Sequence, residues 1–180
     1  MKEKNGCERR RMNVRVPTKF AHPLFFPDGQ MRDTLPNEPF PRLLKHVPFY
    51  YDIVHIPPLP WEEIERSLPA LVALWREEKE ELELCFARRD RRAARSPIVR
   101  GLSYLLSALC WLNGQPATNV VRWEEMVAAL PYKPANAVER LQFIFDRPDL
   151  YPAFVQLHEL FVETEKLAGK QIAMKKRMTP

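Results

Sequence analysis

The sequence predicts an all-α protein: an antiparallel bundle of five or six helices with an extended Pro/aromatic-rich N-terminal arm packed on it. Ten of its eighteen prolines stand at or before Pro60, and no sustained helical period appears until they are passed. Proline lacks a backbone donor and pushes its predecessor out of the α region, so this stretch is expected to be extended and turning. Beyond it, apolar residues recur every three or four positions through successive segments. No period-two alternation and no internal repeat accompanies them. A chain of 180 residues, 46% hydrophobic, is long and apolar enough for one domain with a real core.

Residues 1–13 are polar and mostly basic, and are expected to be disordered. Residues 14–60 form the arm. Its Phe20, Leu24, Phe25, Phe26, Phe40, Phe49, Tyr50 and Tyr51 are too apolar to stay in water, so it should lie against the bundle. Pro27-Asp28-Gly29 reads as a tight turn. The bundle occupies residues 61–172. A short helix is read at Trp61 to Ser67 and another from Pro69, with Leu71, Leu74, Trp75, Leu82, Cys85 and Phe86 on its apolar side. The next runs from a Ser96-Pro97 cap to an Asn113-Gly114 stop. Only Arg100, Ser103 and Ser107 interrupt its apolar circumference, which makes it the most buried helix. Segments at Arg122 to Leu130, at Ala135 to Asp146 and from near Pro152 follow, and residues 173–180 form a basic tail. Short connections predict antiparallel neighbours.

Charge is segregated along the chain. The 28 basic and 23 acidic residues leave a net +5, but residues 88–100 hold six arginines and one acid while residues 61–83 hold eight glutamates. Such blocks steer a protein towards phosphate or acidic partners without choosing between them. The three cysteines form no close-spaced pair, which suits a reducing compartment. No apolar signal-peptide core follows the charged start. The most apolar run, Ile98 to Leu112, falls short of the roughly 20 residues of a membrane span and contains Arg100. A cytoplasmic protein without a membrane span is expected.

Five glycines and no GxxxxGK or GxGxxG leave no phosphate-cradling loop. His22, His46, His55 and His158 lack a partner at ligand spacing, so no metal and no cofactor are expected; His158 reads as a hydrogen-bonded structural histidine. No GxSxG, SxxK or Cys-His signature offers a nucleophile. Asp52 and His55 stand three apart, but in an extended segment such residues point to opposite faces, so they read as arm packing. Glu78 falls in the middle of the stripe of Leu71, Trp75, Leu82 and Cys85, where a carboxylate needs a partner, and Arg100 is the candidate. Arg88, Arg89, Arg91, Arg92 and Arg95 form the strongest surface feature. They are candidate contacts for phosphate or nucleic acid, or else a solvated helix end. Aromatic rings do not alternate with them, so the base-stacking pattern is absent.

Phe20-Ala21-His22-Pro23-Leu24-Phe25-Phe26, then Pro48-Phe49-Tyr50-Tyr51-Asp52 and Pro60-Trp61 before the helices, resemble the YpoC family of small proteins from Gram-positive bacilli. The resemblance covers most of the chain after residue 14. It implies a bacterial, cytoplasmic protein and brings no catalytic motif to carry over. The favoured function is a non-enzymatic protein–protein interaction or adaptor module with an unknown protein partner. The alternative is a nucleic-acid-associated accessory protein using the Arg88–Arg95 cluster, and an enzyme centred on Glu78 ranks third.

Overall fold

A computed structural model of the chain describes residues 15–31 and 37–178; the segment expected to be disordered at 1–13 lies outside them. Among the described residues there are six α-helices and no extended strand, so the protein is all-α. They are α1 (Tyr50–Val54), α2 (Ile64–Ala87), α3 (Arg91–Leu112), α4 (Trp123–Ala128), α5 (Ala137–Asp146) and α6 (Tyr151–Met178). Among the described residues no helix is long and apolar enough to cross a membrane.

The three long helices make the core. Glu78 of α2 meets Arg100 of α3 while Leu68 and Ala108 line one groove, so these helices run antiparallel. Trp75 stacks on Phe161 and Phe86 on Phe154, which sets α6 antiparallel to α2. Consequently α6 runs parallel to α3, with α4 and α5 making the crossover that short connections did not predict. Every residue of α3 from Gly101 to Leu112 is buried, as its apolar circumference demands. At Gly101 the Trp75 side chain of α2 packs directly against the α3 backbone. A Cβ there would stand 2.6 Å from the Trp75 ring.

Two helix starts differ from the sequence reading, both at prolines. Pro69 lies inside α2, which begins at Ile64, and Pro97 lies inside α3. A proline inside a helix removes one backbone bond. Here Leu68 and Leu71 beside the first, and Ala94 and Ile98 beside the second, are buried, and that packing carries the helix through. The start of α3 is capped by the Asp90 carboxylate, which accepts from the Ala93 N–H at 3.0 Å. Ser96 therefore is not a cap. At the other end of the chain, α6 continues through the basic segment to Met178 instead of ending near residue 172.

The arm is less extended than its prolines suggest. It contains 3₁₀ turns at Thr18–Phe20 and Arg42–Lys45 as well as α1. Between them, the Gly29 N–H donates to the Phe26 carbonyl at 3.0 Å, closing the turn read at Pro27-Asp28-Gly29. Phe20, Phe25, Phe26, Leu44, Val47 and Phe49 are buried in the common core. Phe49 and His55, which flank α1, both adopt left-handed backbone. Short-range proline rules give way here because burying aromatic rings is worth more than straight backbone.

Candidate functional site

The turn between α2 and α3 spans only residues 88–90, with Arg89 in the left-handed region at φ 56°. That short turn places five arginines at one end of the bundle, and the structure then divides them. Arg91 donates to the Asp149 carboxylate at the start of α6. Arg88 and Arg89 remain exposed on the turn. Arg92 and Arg95 project from one face of α3, together with Ser96, Val99 and Arg100, into a cavity of about 620 Å³. The opposite wall is the arm, from Leu24 to Met31 and from Lys45 to Pro48. Clefts that hold ligands fall in the range of roughly 300–1,000 Å³.

The cleft is cationic above and apolar below. Arg92 and Arg95 are exposed and have no hydrogen bond or ion pair among the described residues. Lys45 is held by Glu77 at 2.6 Å, and its hydrogen bond holds the Glu77 carboxyl below the usual carboxylate range. Leu24, Pro48 and Val99 supply half-buried apolar surface, while the Phe25 and Phe26 rings are buried. The N–H groups of the α3 start are no free anion site, because Asp90 already occupies one of them. An anion in this cleft would be held by side chains.

Arg100 links the cleft to the core. The structure brings it onto Glu78, which is 1% exposed: Nε donates to both carboxylate oxygens at 3.0 Å and Nη2 to one at 2.6 Å. The Tyr104 hydroxyl donates to the same carboxylate at 3.1 Å. Arg100 also reaches Glu81 and the Ser96 hydroxyl. Burial works against its charge, but the bonds to Glu78 and the charges of Glu78 and Glu81 outweigh it and raise its pKa. Burial, then the charge of Glu78, raises that of Tyr104. A carboxylate with this many donors is held fast between two helices. It faces no open space in which to exchange a proton with a substrate.

A second buried acid was read only as arm packing. Asp52 is 2% exposed and accepts from three donors: Ser107 Oγ at 2.8 Å, Trp111 Nε1 at 2.7 Å and the Ala117 N–H at 2.8 Å. It ties α1 to α3 and to the loop after α3 with no cation among its bonds. Burial pushes its pKa up to about 6, against the lowering by the Ala117, Ser107 and Trp111 bonds and the His55 charge. Because α1 is helical, Asp52 and His55 do not point to opposite faces. The His55 Nε2 meets the Asp52 backbone carbonyl at 2.8 Å, not the carboxylate. Asp52 and His55 thus form no acid–imidazole pair through their side chains.

The remaining histidines are separated. The His22 Nδ1 accepts from the Leu24 N–H, and burial lowers its pKa. His46 pairs with Glu38. His158 packs against Trp75, and its buried Nδ1 has no hydrogen-bond partner among the described residues, which corrects the hydrogen-bonded reading. Among the described residues no group of three or more His, Cys, Asp or Glu side chains could hold a metal ion.

The family of YpoC-like proteins matches residues 65–176, more than half of the chain. The chain belongs to the YpoC-like family. It is 35% identical over 117 residues to the uncharacterized protein YpoC of Bacillus subtilis (strain 168), covering 64% of this chain and 71% of that protein. No solved structure matches the chain. The residues matched to the YpoC-like family take in Glu78, the arginine cluster, Arg100 and all three donors to Asp52. The arm, which supplies the other wall of the cleft and Asp52 itself, precedes them. In sequence, the one signal for the Asp52 cluster was the i, i+4 pair of Ser107 and Trp111, two hydrogen-bonding side chains on an otherwise apolar helix.

Proposed function

We propose that this member of the YpoC-like family is a cytoplasmic, non-enzymatic interaction module that recognises an acidic segment of a partner protein through the cleft between the arm and α3. One observation supports this reading above the others: Arg92 and Arg95 face a concave, partly apolar wall and have no ion pair among the described residues. Unpaired cations in a cleft concentrate anions, and apolar surface beside them suits a protein segment better than a phosphate chain. Nucleic acid is the weaker reading. The cluster is divided, and the Phe25 and Phe26 rings of the cleft wall are buried, so neither offers a face for base stacking. Glu78 is closed off by Arg100 and Tyr104, which weighs against a reaction centred on that acid. The free thiols of Cys85 and Cys110 support a reducing compartment.

The test compares proteins recovered with tagged full-length chain from its native cells. Wild type and Arg88→Glu/Arg89→Glu should retain the same partner, while Arg92→Glu/Arg95→Glu should lose it. Co-purified nucleic acid, lost equally by both variants, would favour the accessory-protein reading. A small molecule turned over by the purified chain would overturn the non-enzymatic one.

A further inference from the structure

We infer that a second groove, between α1 and the start of α2, binds a proline-rich segment of a partner protein in the polyproline II conformation. It goes beyond the proposed function, since this groove shares no lining residue with the cationic cleft. Its volume of about 130 Å³ has room for a ring of proline size but not for the face of a helix. Tyr51 meets Phe40 at 5.0 Å and 65° and Tyr50 at 5.2 Å and 89°. The three half-buried rings therefore form a corner and not a flat stack. Beside them Ile56 is 56% exposed, and Pro57 and Pro58 are exposed as well. Grooves lined by aromatic rings take the stiff, preformed ridges of proline-rich segments.

The polar groups select the backbone conformation of the occupant. Neither the Tyr50 nor the Tyr51 hydroxyl has a hydrogen bond among the described residues. Burial pushes the Tyr51 pKa up to about 12, with the Tyr50 charge adding to the rise and Arg66 opposing it, so its hydroxyl keeps the proton it can donate. Pro57, Pro58 and Pro60 bring no backbone N–H to the wall, so a strand has no ladder to join along them. A helix has its carbonyls engaged internally and would leave both hydroxyls without an acceptor. A polyproline II segment carries free carbonyls, and its prolines bring no N–H that would need an acceptor in return.

Charge narrows the choice further. The Arg66 guanidinium lies over the Phe40 ring, 5.3 Å from its centroid, so that ring already has its cation. Arg66 also pairs with Glu63 at 3.1 Å. Glu62, exposed next to Glu63, has no ion pair among the described residues. The rim of these three residues is net acidic, and one basic residue flanking the prolines complements it.

Fluorescence anisotropy with the full chain tests this. The probe is a labelled oligoproline peptide with one flanking arginine, and the control replaces its prolines by glycine and serine. Wild type should bind the probe saturably and the control about tenfold more weakly, because the control must be ordered on binding. Tyr50→Phe/Tyr51→Phe keeps both rings and should weaken binding about fivefold for each hydrogen bond lost. Ile56→Ser should weaken it as well, and Glu62→Gln should weaken it only for the probe that carries arginine. All variants should keep wild-type helix content by circular dichroism. A wild type that does not bind the probe, or binds the control equally well, would overturn the inference. So would an affinity unchanged in both Tyr50→Phe/Tyr51→Phe and Ile56→Ser. Arg92→Glu/Arg95→Glu should bind the probe as wild type does, so failure here leaves the reading of the cationic cleft standing.

Discussion

Asp52 and Glu78 are both buried carboxylates, and their surroundings give them opposite chemistry. Glu78 has a guanidinium against it; Asp52 has only uncharged donors. Burial raises the Asp52 pKa from 3.8 to about 6, so the folded chain keeps a proton that the unfolded chain has lost. Its contribution to stability is therefore full below the unfolded value and is lost as pH rises to about 6. Above that the folded state carries a constant penalty of about 3 kcal/mol. Asp52→Asn keeps an oxygen for Trp111 and Ala117 and carries no charge to bury. Relative to wild type it should gain stability between about pH 4 and about pH 7, by up to that amount. Asp52→Ala leaves three buried donors unpaired and should cost on the order of 3–5 kcal/mol at low pH, and less above about pH 6, where the wild type carries its own buried charge. Urea unfolding across pH checks both, and a wild-type-to-Asn difference that ignores pH would show that Asp52 does not titrate there. Glu78 was legible in the sequence because a lone acid in an apolar stripe calls for a cation on the next helix. Asp52 was not, because its donors stand 55 to 65 residues away.

At the scale of helices, the contact between α2 and α3 depends on a residue that helix propensity disfavours. Glycine inside a helix costs roughly 1 kcal/mol against alanine, so Gly101→Ala would stabilise an isolated helix. In the folded chain the new methyl would stand 2.6 Å and 2.7 Å from two carbons of the Trp75 ring and 3.1 Å from Leu157. Trp75 is fully buried and stacked on Phe161, so its ring has little room to yield. Gly101→Ala should lower stability by about 1–3 kcal/mol, read as a lower urea midpoint. An unchanged or higher midpoint would show that the ring moves freely. The same competition explains the displaced helix starts. Pro69 and Pro97 mark boundaries by local rules, and only the burial around them carries the helices past those points.

For the molecule as a whole, the arm is part of the core and not an appendage. Phe20, Phe25, Phe26, Leu44, Val47 and Phe49 are all buried. At about 2 kcal/mol each, their burial is comparable to the net stability of a typical domain. Deleting residues 14 to 55 should leave an insoluble or molten protein, with helical far-ultraviolet dichroism but no cooperative thermal transition. A truncated chain that melts as sharply as the full one would show that the bundle stands alone. Local periodicity was enough to establish the helical class, the apolar run that becomes α3 and the stripe that holds Glu78, because those signals repeat every three or four residues. The parallel placement of α6, the Asp52 cluster and the division of five adjacent arginines came only with the tertiary arrangement. Neighbours in sequence share a charge pattern, but which of them face the arm depends on how α3 is rotated when its apolar residues are buried.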